Sequence, residues 1–401
     1  MTVPTVRSTL WVAAALALGA AISLGLARFS YALLLPPMRA DLGWSYFTAG
    51  AMNTANAAGY LLGALLAPRW LARVDARRVL LAGGVGSATL LALHGLVLGD
   101  AALYGLRLLT GIASAASFIS GGLLAARLGQ ASSAGLVLGL YYGGTGLGII
   151  VSALLVPPLV ARDVVHAWQG AWLALAAVAL LATAAMAWAT RSLAAQAVAT
   201  SAAAAGMRRG AFFFGLAGYL MFGLGYIGYM TFVVTLLREQ GLSAGVIVAF
   251  YVLLGAGVIA SSWLWAGLLQ RHRGGVPLAL LNALLALATL LPVLSVHPLV
   301  VFASGALFGS VFLSVVASTT ALVRHNLPMA AWPAGIAAFT IVFAAGQIVG
   351  PSLVGWVADG PGGLVRGFAV SAALLAFGAL LAWRQRPVTT GRGSGAPHGR
   401  A

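Results

Sequence analysis

Long apolar segments, separated by short polar gaps, recur along almost the whole of this 401-residue chain. A membrane-spanning helix needs about 20 consecutive, predominantly apolar residues, and each segment is long enough to meet that requirement. Helices are expected throughout, because an open strand in lipid would leave backbone groups without hydrogen-bond partners. The segments predict twelve spans, at residues 10–35, 46–68, 79–98, 101–126, 132–160, 167–190, 211–237, 244–269, 276–296, 298–322, 330–358 and 364–383.

The composition supports a membrane protein and excludes several other classes. Hydrophobic residues make up 61% of the chain and charged residues 7%, whereas a soluble domain carries about 25% charged residues. The absence of cysteine excludes disulfides, thiolate metal sites and cysteine nucleophiles. The net charge of +16 comes from 22 basic residues, all of them arginine. Because most arginines lie in the gaps between apolar segments, membrane topology explains them better than binding to nucleic acid does.

The arginines are distributed unequally between the two sides of the membrane. If the N-terminus is cytoplasmic, four arginines (Arg39, Arg162, Arg238 and Arg366) fall on the outer side and sixteen on the cytoplasmic side. This bias predicts a multi-pass protein with both termini in the cytoplasm, and we assign it to a bacterial inner (plasma) membrane. The cytoplasmic arginines are Arg7, Arg69, Arg73, Arg77, Arg78, Arg127, Arg191, Arg208, Arg209, Arg271, Arg273, Arg324, Arg384, Arg386, Arg392 and Arg400.

The first and seventh segments are related by a constant offset of 198 residues (223 − 25), which indicates a duplicated six-helix unit. Parallel repeats of this kind are a transporter architecture in which substrate binds near the membrane midplane. The predicted organisation is an N-terminal bundle at 1–190, a cytoplasmic linker at 191–210, a C-terminal bundle at 211–384 and a disordered cytoplasmic tail at 385–401. The matched pairs are Gly25 with Gly223, Leu26 with Leu224, Tyr31 with Tyr229, Asp41 with Glu239, Gly43 with Gly241, Ser45 with Ser243, Arg73 with Arg271 and Gly111 with Gly309.

Three stretches resemble motifs of the major facilitator superfamily (MFS). Residues 63–80 are similar to the motif between helices 2 and 3, residues 106–116 to the helix-4 arginine motif, and residues 346–351 to a helix-11 pattern. Residues 25–66 further resemble the YbfB/YjiJ-type branch. The resemblance implies an all-α membrane protein with twelve transmembrane helices in two pseudo-symmetric six-helix bundles, acting as a permease. It also nominates gating residues at the cytoplasmic ends of the helices: Asp75, Arg77, Arg78, Arg73 and Arg271.

Two arginines, Arg28 and Arg107, lie inside apolar segments. A charge at that depth costs roughly 2.5–3.5 kcal/mol on insertion scales and usually faces a polar cavity. Arg28 is about 12 Å below the predicted end of its helix and Arg107 roughly 10 Å, at ~1.5 Å per residue. We expect the two guanidiniums to form a fork that binds a carboxylate, sulfonate or phosphate. For Arg107, gating or helix packing is the alternative.

Other embedded polar residues are candidate substrate contacts, with packing between helices as the alternative for each. Phenols can cover the apolar body of an organic ligand while donating a hydrogen bond. The 198-residue offset places Tyr226 opposite Arg28 across one central cavity. The full set of candidates is Tyr31, Asn53, Asn56, Tyr142, Tyr226, Tyr229 and Gln347.

These observations predict a secondary active transporter of a small organic solute, with an organic anion as the favoured class and alternating access as the mechanism. Efflux of multiple drugs or amphiphiles by the same fold is the first alternative, and a non-transporting receptor or scaffold is the second. An enzyme is not expected, because the chain offers no Cys, no His-x-x-x-His pair and few acids. A P-loop is excluded because its lysine is missing.

The expected partners are a small-molecule substrate and membrane lipids, with no nucleic acid, no cofactor and no metal. The six acidic residues all lie in gaps or at helix ends, whereas a proton-coupled carrier commonly uses a buried carboxylate. If a proton is the coupling ion, it needs a helix-end acid, a histidine or the substrate's own carboxylate as its carrier. We expect a monomer, since one chain supplies both halves of the pathway.

Overall fold

The computed structural model describes residues 6–130, 134–161, 164–191, 193, 207 and 209–388. Over these residues the chain forms twelve long helices and two short 3-10 helices, Arg209–Phe212 and Met329–Ala331, and no strand. This confirms the predicted all-α architecture. The predicted linker and tail fall mostly outside the described residues. The long helices are α1 (Val6–Ala20, Ala21–Phe29 and Tyr31–Leu42), α2 (Tyr46–Arg73), α3 (Ala76–His94), α4 (Asp100–Gln130), α5 (Ala134–Val160), α6 (Ala167–Ala189), α7 (Phe213–Glu239), α8 (Ala244–Leu264 and Ala266–Arg271), α9 (Val276–Leu294), α10 (Pro298–Asn326), α11 (Trp332–Ala358) and α12 (Gly363–Trp383).

Helix α1 changes its backbone pattern at mid-length, where the segment Ala21–Phe29 is π-helical. Such segments frequently mark functional sites. The helix continues to Leu42 rather than ending near residue 35, and Gly43 terminates it with a φ of 65°, in the left-handed region that favours glycine. Arg28 is therefore roughly 21 Å from that end of α1 at ~1.5 Å per residue, which is deeper than the sequence indicated.

Among the described helices, eleven are long and apolar enough to cross a membrane. The twelfth is α2, which has 28 residues and carries Asn53, Thr54 and Asn56. These side chains hydrogen-bond to α7, α11 and α4 respectively. Hydrogen bonds between helices stabilise polar side chains in a membrane, so the lower apolarity of α2 follows from its position between the two halves.

Residues matched by the repeat perform the same structural role in both halves. Gly43 and Gly241 both adopt positive φ after the first helix of their half, at 65° and 81°. Ser45 and Ser243 then cap the next helix, each accepting a hydrogen bond from the backbone N–H three residues further on. The side-chain oxygen satisfies a donor that has no partner within the helix, so the duplicated Gly-x-Ser sequence encodes the turn between the first two helices of each bundle.

The second and fourth helices of each half touch at a matched glycine. A Cβ on Gly111 would lie 2.2 Å from the carbonyl oxygen of Asn56, and one on Gly309 would lie 2.0 Å from that of Leu254. Leu254 is 198 residues beyond Asn56 (254 − 56), so the two contacts are equivalent under the repeat. Small residues allow backbones to approach closely where packing drives association. The two six-helix bundles are thus pseudo-symmetric at the level of individual contacts.

The most extensive contacts between the two bundles are those of α2 with α11, α5 with α8, and α1 with α7. Gly146 on α5 lies against Gly255 on α8, so that a Cβ on Gly146 would be 2.3 Å from the Gly255 carbonyl oxygen. A large space remains between the bundles beside these pairs, and the candidate site lies there.

Candidate functional site

A cavity of about 560 Å³ lies between the two bundles. Arg28 and Gln347 line it, as do Gln270 near the end of α8 and Arg324 near the end of α10. The last two residues are exposed. They lie at the same end of the molecule as Arg73 of the N-terminal bundle, and we call this the arginine-rich end. The cavity is therefore open at the arginine-rich end and extends inward to Arg28.

The inner part of the cavity holds a polar cluster that joins both bundles. The Gln347 Oε1 atom accepts a hydrogen bond of 2.5 Å from Arg28 Nη2 and another of 2.6 Å from the Tyr226 hydroxyl. The three side chains come from α11, α1 and α7, and all are at least 96% buried. We refer to Arg28, Tyr226 and Gln347 as the polar triad. Sequence analysis nominated all three, and the structure brings them together.

Arg28 lacks a counter-charge in the part of the chain that the structure describes. The two ion pairs found there involve Arg39 and His166, not Arg28, and no acidic residue is among those that line the cavity. The Arg28 Nε atom has no hydrogen-bond partner. Its guanidinium lies 5.8 Å from the ring centroids of Phe29 and Tyr60. A buried cation is normally paired, so this guanidinium is suited to binding an anion.

Beside the polar triad, four aromatic rings with nearly parallel planes form a wall. The Tyr226 ring stacks on Phe222 with centroids 4.6 Å apart, and it lies at angles of 20° and 12° to the planes of Phe343 and Phe312. The three phenylalanines and Tyr226 all line the cavity. We call these four residues the aromatic wall. Flat apolar ligands pack well against such a surface.

Arg107 is also buried, but the structure places it behind α1 rather than in the cavity lining. Its Nη1 atom donates to the Ala27 carbonyl at 3.0 Å and its Nη2 atom to Asn53 Oδ1 at 3.4 Å. The guanidinium lies 4.7 Å from the centroid of the Tyr31 ring. The predicted fork of two guanidiniums is therefore not formed in this conformation, because Arg107 turns toward the backbone of the π-helical segment.

Four other nominated residues lie outside the cavity lining as well. Asn53 donates to Thr231 across the bundle interface, and Asn56 donates to the Arg107 carbonyl. Tyr31 donates to a carbonyl of α2, and Tyr229 pairs with a serine of α10. In this conformation all four bind other helices, which is the packing alternative, and their assignment as substrate contacts stays a prediction. Tyr142 does line the cavity and is 39% exposed.

Sequence reasoning missed most of the aromatic residues in the cavity. Tyr60 and Phe118 line it together with the three phenylalanines of the aromatic wall. One signal was available, because Phe222 and Tyr226 are four residues apart and so share a face of α7. In a membrane helix such spacing usually reflects contact with lipid or packing between helices. The spacing alone therefore does not identify these residues as part of a binding site.

At the opposite end of the molecule the bundles are in contact, and we call this the closed end. Both carboxylate oxygens of Asp359, at the end of α11, accept hydrogen bonds from the first backbone amides of α2, at Tyr46 (2.7 Å) and Phe47 (2.9 Å). The N-terminal amides of a helix have no partner within it and carry partial positive charge. Asp359 thus caps α2 across the interface between the bundles.

A second cluster reinforces the closed end. Arg39 lies 3.6 Å from Glu239 and stacks at 3.7 Å on the ring of Tyr46, whose hydroxyl donates to Glu239. Deeper in the same interface, Thr54 donates to the Ile348 carbonyl at 2.6 Å. These contacts join the N-terminal bundle to the C-terminal one. These contacts hold the bundles together at the closed end, whereas the cavity lining reaches exposed residues at the arginine-rich end.

The predicted gating residues lie at the arginine-rich end. Asp75 caps α3 by accepting from the Arg77 amide at 3.0 Å, and the Arg77 guanidinium donates to Thr190 and to a carbonyl near the end of α6. Arg73, Arg78 and Arg271 are exposed. The contacts of Asp75 and Arg77 stay within the N-terminal bundle, and their gating role stays a prediction.

Comparisons with known proteins agree with this fold. A family model described as uncharacterised MFS-type transporter YbfB matches residues 20–383. A search of curated proteins found no match. A bacterial homologue of the human lysosomal transporter Spinster, in an inward-facing and unoccupied conformation, is 14% identical, with a TM-score of 0.72 over 95% of this chain and 97% of that one. The nucleoside transporter NupG is 14% identical, with a TM-score of 0.67 over 94% of this chain and 98% of that one.

Proposed function

Because the chain belongs to the YbfB-type family of MFS transporters, and is thus a multi-pass membrane transporter rather than an enzyme, we propose that it carries a small organic anion by alternating access. The observation that supports this class of substrate is Arg28. Its guanidinium is buried beside the cavity and is bonded to a neutral amide, with no ion-pair partner among the described residues. An anionic substrate supplies the missing counter-charge.

Alternating access is supported by the contrast between the two ends of the cavity. One end is open, and the other is held by contacts between α2 and α11 and between Arg39 and Glu239. Transport then requires the bundles to rock about the polar triad, so that the closed end opens while the arginine-rich end closes. We place the arginine-rich end and both termini in the cytoplasm of a bacterium, on the basis of the arginine bias.

The energy source in this proposal is an ion or solute gradient. The described acidic residues lie at the boundaries of helices, so no carboxylate at the depth of Arg28 is available to carry a proton. If a proton is the coupling ion, Glu239 and Asp359 are the carriers we favour, because both change partners when the closed end opens. The substrate's own carboxylate is the alternative. Since one chain contains both bundles, we propose that the monomer is the transporting unit.

Efflux of apolar amphiphiles is the second candidate function. The aromatic wall and the other apolar lining residues favour it, because such a surface accommodates the body of many drugs. A cationic drug, however, needs a counter-charge, and the described lining of the cavity contains arginine but no acid. We therefore rank organic anions first.

A thermal-shift screen of the purified protein separates the two candidates. The panel contains benzoate, octanoate, octyl sulfonate and glycerol phosphate beside the cation tetraphenylphosphonium, and Arg28→Ala is measured beside the wild type. A ligand at 100 times its Kd stabilises the folded state by about 2.7 kcal/mol. We expect at least one anion to raise the melting temperature of the wild type but not of Arg28→Ala.

Stabilisation of both proteins by tetraphenylphosphonium alone would overturn the anion proposal in favour of amphiphile efflux. An anion that passes the screen is then tested for exchange across proteoliposomes. If it binds through Arg28 and is not exchanged, the protein is a receptor or scaffold rather than a carrier of that anion.

A further inference from the structure

The polar triad contains an unusual arrangement for a neutral amide. A single oxygen, Gln347 Oε1, accepts from the charged Arg28 guanidinium and from the Tyr226 hydroxyl, at 2.5 and 2.6 Å. A carboxylate would accept hydrogen bonds from both of these donors, because an ionised carboxylate has only acceptor sites.

Burial supports the interpretation of the polar triad as a site for a carboxylate. Arg28 is 3% exposed and Gln347 is 4% exposed, yet the Arg28 Nε atom has no partner. A neutral amide oxygen satisfies one donor of the guanidinium, whereas a carboxylate satisfies two in parallel. A carboxylate would therefore accept more hydrogen bonds from Arg28 than Gln347 does.

The surface next to the triad indicates the shape of the rest of the ligand. The planes of Phe222 and Phe343 are 9° apart with centroids at 5.4 Å, and Tyr226 continues the same orientation while belonging to the triad. Stacked aromatic contacts are worth about 0.5–1.5 kcal/mol beyond the area they bury. A carboxylate directly attached to a flat ring would reach Arg28 while its ring lies on this wall.

We infer that the substrate is an aromatic carboxylate whose carboxylate replaces the Gln347 amide oxygen between Arg28 and Tyr226. Gln347 is then an internal stand-in for the carboxylate of the substrate. Its displacement also breaks the hydrogen bond from α1 to α11, so binding removes a link between the two bundles. This inference rests on the proposed transport of an organic anion and names the class of that anion.

The test uses isothermal titration of the purified full-length protein with 2-naphthoate. Gln347→Glu places a permanent carboxylate beside Arg28, and we expect at least tenfold weaker binding because the site is already filled. Gln347→Ala removes the stand-in, and we expect binding as tight as in the wild type or tighter. Gln347→Asn, whose amide is one methylene shorter, carries the same expectation if the alanine variant fails to fold.

Gln169→Glu is the matched control for the charge change. It introduces the same carboxylate on α6, outside the residues that line the cavity, and we expect less than a threefold change in affinity. If Gln169→Glu weakens binding as much as Gln347→Glu does, a general effect of the added charge explains the result and the stand-in role is wrong. Binding at least tenfold weaker in Gln347→Ala or Gln347→Asn overturns it too, because Gln347 would then be a ligand contact.

Two further ligands test the substrate class. The neutral amide 2-naphthamide should bind at least tenfold more weakly than 2-naphthoate, and the saturated decahydro-2-naphthoate about threefold to tenfold more weakly, in line with the stacking contribution. Octanoate binding through Arg28 more tightly than 2-naphthoate would refute the aromatic class and leave the organic-anion proposal standing. Absence of any Arg28-dependent anion binding would remove both.

Discussion

The cavity around Arg28 and the packed layer around Arg107 hold the same side chain at similar burial, 3% and 1% exposed. Arg107 donates to a backbone carbonyl and to Asn53, and it lies on the ring of Tyr31. Arg28 donates to one amide oxygen and otherwise faces a cavity. Burial alone therefore does not identify a binding arginine. The Nε atom of each arginine lacks a hydrogen-bond partner. The difference is that Arg107 donates to two protein acceptors and lies outside the cavity lining, whereas Arg28 donates to one and lines the cavity.

The two regions are nevertheless connected through the π-helical segment of α1. A π-helix departs from the regular hydrogen-bonding pattern of an α-helix, and carbonyls of this segment are bound by side chains from outside the helix. Arg107 binds the Ala27 carbonyl, and Tyr251 of α8 binds the Phe29 carbonyl at 2.7 Å. In the chain, Arg28 lies between Ala27 and Phe29. Arg107 thus supports the backbone that positions Arg28.

The largest expected effect is the loss of stability in Arg107→Ala. Removing the guanidinium deprives the Ala27 carbonyl oxygen and Asn53 Oδ1 of this donor, at about 1–3 kcal/mol each, so we expect a loss on the order of 3 kcal/mol. Arg28→Ala should cost less, because the one acceptor that loses this donor, Gln347 Oε1, still accepts a hydrogen bond from the Tyr226 hydroxyl. Unfolding of both variants in detergent measures the difference, and equal destabilisation would break the comparison.

The next effect concerns binding rather than stability. Lysine keeps the charge of arginine but loses its planar fork. We expect Arg28→Lys to bind 2-naphthoate about tenfold more weakly, since hydrogen bonds to charged groups are worth about 1.5–3 kcal/mol. Arg107→Lys should keep the wild-type affinity and lower the melting temperature. Full affinity in Arg28→Lys would show that a point charge suffices and that no paired hydrogen bonds form.

A smaller effect is expected at the closed end, which determines whether Arg28 is accessible from one side or both. Asp359→Asn removes the charge that caps α2 and one of its two acceptors, a loss of about 1 kcal/mol, which corresponds to about a fivefold change in an equilibrium constant. The natural chain has no cysteine, so maleimide labelling of an introduced Thr54→Cys reports opening of this interface. We expect about fivefold faster labelling.

Asp100→Asn provides the control for that substitution. Asp100 accepts a hydrogen bond of 2.8 Å from Trp44 within the N-terminal bundle, so the same change should leave the labelling rate unaltered. Equal acceleration by both substitutions would mean that surface charge, not the cap on α2, sets the rate.

The smallest effect is expected for Tyr251→Phe, which removes the hydrogen bond from α8 to the Phe29 carbonyl. The loss of about 0.5–1 kcal/mol should speed labelling of Thr54→Cys by about twofold to fivefold, because the bond joins the two bundles. Tyr141→Phe is the control, since its hydroxyl binds the Phe118 carbonyl within one bundle. If the two variants label at the same rate, the Phe29 carbonyl contributes nothing to closure.

The sequence by itself determined the membrane class, the twelve helices and the pairing of the two bundles. Apolar length is a local property, and the cost of an unpaired backbone in lipid turns it into helices. The repeat is equally local, as Gly43 and Gly241 show by adopting the same positive φ at matched turns. Arg28, Tyr226 and Gln347 could be nominated because embedded polar residues are rare in such a chain.

Only the tertiary structure decided which of the two arginines faces the cavity. The direction of a side chain depends on the rotation of its helix, and the π-helical stretch of α1 alters that rotation where Arg28 lies. The convergence of Arg28 and Tyr226 on one oxygen of Gln347, and the capping of α2 by Asp359, join residues more than 100 positions apart. Such contacts arise from packing of one bundle on the other, and no local pattern in the chain encodes them.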